Sequence, residues 1–359
     1  MFKIDQKPKM NQKIKVSIIG ASGYTGGELL RILLLHPKVE IQQVTSLEFV
    51  GQPVTLCHPN LRSFTNLCFS KVEDLKPCDL LFVAIPNGKS MGLMKKLIQI
   101  APRIIDLGAD FRLKSAQEWE RWYQSTHLAP ELLGKFVYGI PEIRKEEIKK
   151  AKYVAGPGCE AIVSILSLWP LVKNDLIDKE KIIIDVKIGS SAAGSTPTLA
   201  SHHPERRGVA RSYMPTGHRH TVEIEQELTI NNERPKILIS ATAIEMVRGI
   251  LVTIQTFLKK NVEEKEIWKV YFKEYKDDPF VRIVKEREGI YRYPEPKILQ
   301  GTNFCEIGFE KEKISNRLVV MGAIDNLGKG SSGNAVQCMN LMFGFPEKMG
   351  LEFPGLHPI

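Results

Sequence analysis

Two rhythms of apolar and polar positions run along this chain. Ile14-Lys15-Val16-Ser17-Ile18-Ile19 is β-rich, and Gly20-Ala21-Ser22-Gly23-Tyr24-Thr25-Gly26 forms a turn. Residues 27–36 then carry apolar side chains at helical spacing until Pro37 ends the run. Residues 39–44 read as a second strand and 80–85, stopped by Pro86-Asn87-Gly88, as another. Residues 91–100 read as a helix and 104–107 as a further strand. Strand and helix alternating at this spacing predict a Rossmann-like α/β domain, a parallel sheet with helices on both faces.

The rhythm changes in the middle of the chain. Residues 182–188, 236–246 and 249–257 are longer β-like runs with few helices between them. They predict an α+β domain built on a mixed or antiparallel sheet. Residues 317–323 read as a last strand, and 333–343 as a helix able to pack back on the first domain. The expected division is a loose polar tail over 1–13, with Met10 as an alternative start. A dinucleotide domain over 14–157 is joined by 326–359, and a catalytic and oligomerisation domain covers 158–325. No internal repeat or low-complexity linker interrupts this plan.

Composition narrows the setting. Hydrophobic residues make up 43% and charged residues 25%, ordinary values for a globular chain with a proper core. No apolar run has the length of a membrane span, and the polar, basic start lacks the apolar stretch of a secretory signal. The reading is a cytoplasmic protein with no membrane partner. The net charge of +9 suits anions: a dinucleotide, a phosphorylated substrate or an acidic protein. No basic-aromatic array points to nucleic acid. Cysteines stand at 57, 68, 78, 159, 305 and 338, without a C-x-x-C pair or zinc-ligand spacing, so no metal is expected. All except Cys159 read as small buried hydrophobes.

Gly20, Gly23 and Gly26 follow a strand and open a helix, where backbone N–H groups approach a pyrophosphate closely. The spacing is G-x-x-G-x-x-G. Ser46 ends the second strand where an NAD site usually has a carboxylate, which leaves room for the 2′-phosphate of NADP, although Glu48 follows two residues on.

Cys159 follows Gly156-Pro157-Gly158 at the start of an apolar helical stretch. A helix N-terminus favours thiolate over thiol, whereas a nearby Glu160 opposes it. His218 and His220, in Gly217-His218-Arg219-His220, are the candidate acid/base groups. If that segment is extended, both histidines share one side and Arg219 points the other way.

These residues resemble the N-acetyl-γ-glutamyl-phosphate reductases, and more closely their archaeal-type branch acting on substrates tethered to an acidic amino-group carrier protein in lysine and arginine biosynthesis. The resemblance runs from about Lys15 to the last helix. It rests on the Gly20–Gly26 turn, Asp106-Leu107-Gly108-Ala109-Asp110-Phe111-Arg112, Gly158-Cys159, Gly217-His218-Arg219-His220 and Asp325-Asn326-Leu327-Gly328-Lys329-Gly330. It implies that Ser22, Gly23, Tyr24 and Thr25 hold the pyrophosphate of NADP(H), that Ser46, Leu47 and Glu48 meet its adenosine ribose, and that Asn326 lies by the nicotinamide half. Cys159 would be the nucleophile and His218 or His220 the acid/base. Arg112 would bind the leaving phosphate, with a structural bridge to Asp106 or Asp110 as its alternative, helped by backbone donors around Gly189, Ser190 and Ser191. Leu47 stands where the family commonly has an arginine. Glu160-Ala161-Ile162 after Cys159, and Ser201-His202-His203-Pro204-Glu205-Arg206-Arg207, look like the carrier-dependent branch. A basic rim at Arg206, Arg207 and Arg211 would attract the acidic carrier.

The resemblance thus implies reduction of a carrier-linked L-2-aminoadipyl 6-phosphate, and of its glutamyl homologue, to the semialdehyde through a cysteine thioester, by a homo-oligomer. The alternatives are the free acetylated substrate, or a non-catalytic NADP-binding regulator. The Asp106–Arg112 and Gly217–His220 segments speak against aspartate-semialdehyde and glyceraldehyde-phosphate dehydrogenases.

Overall fold

The structure, a computed structural model, describes residues 13–284 and 286–359. Of the expected polar tail, residues 1–12, Met10 among them, lie outside the described residues. The described chain divides into two units, one formed by residues up to Pro157 with Ser331–Phe353, the other by Gly158–Gly330 with Pro354–Ile359. Asn326–Gly330 and the last six residues therefore belong to the second unit.

The first unit is built on β1 (Ile14–Ile19), β2 (Val39–Thr45), β3 (Phe69–Ser70), β4 (Leu80–Val83), β5 (Ile104–Asp106), β6 (Phe136–Tyr138) and β7 (Tyr153–Ala155). Their order is β3-β2-β1-β4-β5-β7-β6, and every pair is parallel. β4 is buried at all four positions, as a strand covered on both faces must be. The strand order turns between β1 and β4, where ligands of open parallel sheets bind. The Gly20–Gly26 turn leaves β1 at that point and leads into the helix Tyr24–Leu33. The helix Gly333–Phe343, buried throughout, packs on the helices Tyr24–Leu33 and Pro141–Ile148 of the same unit.

The second unit holds β8 (Ile182–Ile188), β9 (Ala210–Met214), β10 (Ile237–Ile244), β11 (Ile250–Phe257), β12 (Val281–Ile283), β13 (Cys305–Lys311) and β14 (Arg317–Ile324), in the order β12-β13-β14-β11-β8-β10-β9. The sheet is mixed: β8 and β10 run parallel, whereas β11 is antiparallel to both β8 and β14. β8 and β11 alternate strictly between buried and more exposed positions, so one face is covered. The helix Cys159–Lys173 packs on β11 and β14. Tyr271 and Tyr275 donate from the helix Glu264–Tyr275 to the carbonyls of Ser167 and Leu166, both at 2.6 Å.

Three of the five cysteines expected to be buried are so, Cys78, Cys305 and Cys338. Cys68 is exposed and Cys57 half-buried, because both belong to the short, irregular segment around Val54–Cys57 rather than to the core. Among the described residues no helix is long and apolar enough to cross a membrane.

Candidate active site

In the first unit, Gly20 has φ +78°, and a Cβ there would lie 2.3 Å from the Ala84 carbonyl oxygen, so only glycine fits. At Gly26 a Cβ would strike the Ala21 backbone at 2.5 Å. At Gly23 it would meet nothing nearer than the Gly20 oxygen at 3.8 Å. Gly23 is also the N-cap of the helix Tyr24–Leu33, which has no side-chain cap. The structure thus packs Gly20 and Gly26 tightly and keeps space above Gly23, at the positive end of the helix, where backbone N–H groups can meet an anion. These residues fit a dinucleotide pyrophosphate.

Ser22 Oγ lies 2.9 Å from Ser46 Oγ, which ties the turn to the end of β2. Ser46 is buried and also accepts from the Phe49 N–H, whereas Leu47 and Glu48 stand exposed. His58 supports the turn from beneath through a 2.8 Å contact of Nε2 with the Ala21 carbonyl. Burial holds the His58 imidazole below its ordinary pKa, so this contact is that of a neutral ring.

Arg112 is buried in the first unit, with Nε donating to the Gly156 carbonyl at 2.8 Å and Nη2 to the Leu107 carbonyl at 3.1 Å. Its fork fastens the Asp106–Arg112 segment to the chain leaving β7. Nearby, Asp110 accepts from the N–H groups of Gly88 and Met91, and Asp106 accepts from Ser90 Oγ at 2.7 Å and from the Gly108 N–H at 3.0 Å.

In the second unit, Cys159 is the first residue of an almost wholly apolar 15-residue helix. Gly158 is its N-cap in extended conformation, without a side-chain cap. Cys159 is half-buried, and a Cβ on Gly330 would lie 2.9 Å from its own Cβ. The sulfur-bearing residue is thereby wedged against a glycine of the Asp325–Gly330 segment, at the end of a helix whose first amides favour a thiolate.

The segment carrying the two histidines is not extended. Arg219 is helical and His220 begins the helix His220–Glu227. Thr221, Val222, Glu223 and Ile224 are buried in succession in this helix rather than alternating along a strand, which is why the period-two reading fails. The imidazoles nevertheless come together, with ring centroids 5.0 Å apart. His220 Nδ1 lies 2.7 Å from Glu223 Oε1, and Glu223 Oε2 accepts from the Gly158 N–H at 3.0 Å. A Cβ on Gly158 would lie 2.1 Å from His220 Cε1, so the ring rests directly on the residue before Cys159.

His218 makes a different set of contacts. Its Nδ1 accepts from the His220 N–H at 3.3 Å, and its Nε2 is 3.0 Å from Glu160 Oε2. The other Glu160 oxygen accepts from the Tyr213 hydroxyl at 3.0 Å. Burial pushes the Glu160 carboxyl up, but His218, His220 and Tyr213 together outweigh it and hold the group below its ordinary pKa. Burial, and then the neighbouring Glu160 carboxylate, push the Tyr213 hydroxyl far up, so it stays a donor. The histidine pair therefore faces Glu160. The sequence singled out neither Tyr213 nor Glu223, and read Glu160 as a charge opposing the thiolate and as part of a branch marker, not as a partner of the histidines. Glu223, three residues after His220 on a helical pattern, was the available signal.

One further expectation changes. The backbone donors of Gly189, Ser190 and Ser191 are engaged by the carbonyls of Gly249, Met246 and Val247 at 3.0, 2.8 and 2.9 Å, because the chain leaving β10 folds back over them. They are not available to a phosphate. Asn326 is buried: its Oδ1 accepts from the Gly249 N–H at 2.7 Å and its Nδ2 donates to Ser191 Oγ at 2.9 Å. The arginines of the basic rim also make contacts within their own unit. Arg206 donates to the Ile244 carbonyl at 2.7 Å, Arg207 pairs with Glu245 at 2.7 Å, and Arg211 donates to the Glu205 carbonyl at 2.9 Å. His203 opens the short helix His203–Arg206 and is exposed.

Comparison with known proteins agrees with this division. The family model "Semialdehyde dehydrogenase, NAD binding domain" matches residues 15–151, and "Semialdehyde dehydrogenase, dimerisation domain" matches residues 159–326. A putative [LysW]-L-2-aminoadipate 6-phosphate reductase of Thermomicrobium roseum is 51% identical, covering 96% of this chain and 99% of that protein. A [LysW]-L-2-aminoadipate/[LysW]-L-glutamate phosphate reductase of Saccharolobus solfataricus is 46% identical, covering 97% and 100%. Among solved structures, aspartate semialdehyde dehydrogenase II of Vibrio cholerae, complexed with ASA, shares the fold with a TM-score of 0.70 at 14% identity, covering 92% and 98%.

Proposed function

Since this chain belongs to the semialdehyde dehydrogenase family, in the group of the [LysW]-aminoadipate and [LysW]-glutamate phosphate reductases, we propose that it reduces a carrier-linked L-2-aminoadipyl 6-phosphate to the semialdehyde through a thioester on Cys159. The observation that carries this reading is the Glu223–His220 pair resting on Gly158, beside the helix-start thiol. Relatives named for both substrates support use of the glutamyl homologue as well. The two substrates differ by one methylene, which an apolar pocket discriminates by only about 1–3 kcal/mol.

The reading selects between the two histidines. Glu223 fixes the proton of His220 on Nδ1, so Nε2 presents a lone pair able to take the Cys159 proton. His218 keeps its lone pair on Nδ1, engaged by the His220 N–H. His220 is then the acid/base, and His218 with Tyr213 positions Glu160. The Cys159 sulfur forms a bond to the acyl carbon, the carbon–oxygen bond to phosphate breaks, and phosphate leaves with the electron pair. The first-turn amides of the Cys159 helix stabilise the oxyanion formed on the way. The Gly20–Gly26 turn and Ser46 would hold NADPH, which would supply the hydride for reduction of the thioester. On collapse the carbon–sulfur bond breaks, and the leaving thiolate recovers its proton from His220.

NADP rather than NAD is supported by Ser46, where an NAD site usually has a carboxylate. The net charge of +9 suits an acidic carrier, although Arg206, Arg207 and Arg211 are already engaged within the chain, and a thiol kept reduced suits the cytoplasm. The match to a dimerisation domain supports a homo-oligomer. The test is to supply the phosphorylated carrier conjugate and free N-acetyl-γ-glutamyl phosphate separately, each with NADPH and with NADH. A higher kcat/KM on the conjugate with NADPH is expected. Equal or better use of the free substrate removes the carrier reading. Cys159→Ser is expected to abolish reduction while retaining NADPH binding.

A further inference from the structure

Sequence spacing gives no metal site, but folding builds a cluster that has the chemistry of one. Glu160, His218 and His220 each offer a ligand atom, and these atoms lie within 4.8 Å of one another. Around a four-coordinate ion with bonds near 2.1 Å, ligand atoms stand about 3.4 Å apart, so the cluster needs only small side-chain adjustments to close on one. Glu160 and His218 are buried and His220 is half-buried, so little solvent competes.

Two features separate this cluster from an ordinary ion pair. Glu160 Oε2 lies 3.0 Å from His218 Nε2, yet it is a buried oxygen that receives no aligned hydrogen bond. A buried carboxylate oxygen beside an imidazole nitrogen, without an aligned hydrogen bond of its own, keeps a lone pair for a third atom. In addition, the far nitrogen of His220 is held by the Glu223 carboxylate at 2.7 Å. A carboxylate on Nδ1 orients an imidazole and raises its basicity as a metal ligand at Nε2.

We infer that Glu160, His218 and His220 form a binding site for a borderline-soft divalent cation, zinc or cobalt, which on binding blocks the acid/base group of the active site. Carboxylate with two imidazoles is a ligand set suited to zinc. Binding at His218 Nε2 moves the single ring proton to Nδ1, which gives up the long 3.3 Å bond from the His220 N–H. Occupancy removes the Nε2 lone pair of His220. The inhibitory part of the inference rests on His220 as the acid/base; the binding part does not.

The experiment uses the full chain, freed of metal with a chelator and titrated with Co2+ while the visible d–d absorption of a four-coordinate site is followed. Saturable absorption, displaced by Zn2+, is expected. Glu160→Gln and His218→Gln should each weaken cobalt binding about tenfold or more, and His220→Ala should abolish the signal. Cys159→Ser should retain it. Far-ultraviolet circular dichroism checks that each variant is folded, and Glu160→Gln, which keeps the acceptor for Tyr213, serves where a histidine variant is not. Absence of the absorption, or cobalt binding that survives the Glu160 and histidine substitutions but is lost in Cys159→Ser, overturns the site. Reduction of the wild-type chain should be inhibited by Zn2+ and restored by chelator. Cobalt binding in a chain that reduces no acyl phosphate would defeat the proposed function and leave the site standing. Normal reduction without cobalt binding would do the reverse.

Discussion

The carboxylate of Glu223 bridges two groups, with one oxygen 2.7 Å from His220 Nδ1 and the other accepting from the Gly158 N–H at 3.0 Å. One buried side chain therefore fixes both the tautomer of the candidate base and the peptide that precedes the nucleophile. Glutamine at 223 can accept only through its single oxygen, and its amide either donates to the ring or loses the Gly158 bond. Glu223→Gln is expected to lower kcat about 10²–10⁴-fold, the range for a mispositioned general base, with NADPH affinity unchanged. Steady-state kinetics beside a cofactor titration checks this. A kcat within a factor of three of wild type would remove Glu223 and His220 from the proton path.

The contact between His220 and Gly158 gives a steric test of the same geometry. Gly158 has φ −67° and ψ 144°, which any residue adopts, so alanine meets no backbone strain. Its Cβ would instead lie 2.1 Å from His220 Cε1 and force the ring away. Displacement by about 1 Å costs on the order of 10²-fold in rate. Gly158→Ala is expected to show that loss in kcat/KM together with a near-normal unfolding midpoint. A large drop in the midpoint would mean that Gly158 serves packing rather than the site.

The parallel sheet and the Cys159 helix were legible in the sequence because each has a strong local signature: buried apolar runs stopped by Gly or Pro, and an apolar 15-residue helix behind a Gly-Pro-Gly approach. The three-residue strands β5, β6 and β7 differ in this respect. β5 was visible as part of an apolar run, whereas β6 and β7 lie in sequence that carries no strand period of its own and take their form from their neighbours. The histidine segment was misread for a related reason. Gly217-His218-Arg219-His220 fits either period, and only the unbroken burial of Thr221, Val222, Glu223 and Ile224 decides against the alternating strand. Glu160 and Tyr213 meet although 53 positions separate them, and no local pattern encodes such a pairing. The engagement of Gly189, Ser190 and Ser191 was hidden likewise, because their acceptors at Met246, Val247 and Gly249 come from a distant loop.

The dinucleotide turn separates packing from binding at two of its glycines. Alanine at Gly26 would place a methyl 2.5 Å from the Ala21 backbone, where no side chain can yield. Gly26→Ala is expected to destabilise the chain by about 1–3 kcal/mol, as overpacking does, and to weaken cofactor binding with it. Alanine at Gly23 meets no atom nearer than 3.8 Å within the chain. Gly23→Ala is expected to leave stability within about 0.5 kcal/mol and to raise the NADPH Kd by tenfold or more, since its methyl fills the space a pyrophosphate would occupy. Urea unfolding with a fluorescence titration of NADPH checks both variants. Unchanged Kd in Gly23→Ala would show that the pyrophosphate does not sit there.

The last prediction concerns Asp106, which is fully buried between Ser90 and Gly108 in the first unit. Burial, and then repulsion from Asp110, push its carboxyl from the ordinary 3.8 up to about 7, despite the opposing pull of Ser90, Gly108 and Arg112. The native chain therefore holds a proton at Asp106 that the unfolded chain releases near pH 4. Between those values the native state binds more protons, so stability from this group is full at low pH and is lost as pH rises through about 7. The slope is about 1.4 kcal/mol per pH unit from roughly pH 4 to 7, and above that it flattens. Asparagine stays neutral at every pH. Relative to wild type, Asp106→Asn should therefore gain roughly 2–3 kcal/mol of stability on going from pH 5 to pH 8, read from equilibrium urea unfolding at each pH. A wild-type-to-variant difference that is constant across this interval would mean that Asp106 is ionised in the native chain throughout, with Arg112 and the hydrogen bonds to its carboxylate outweighing burial.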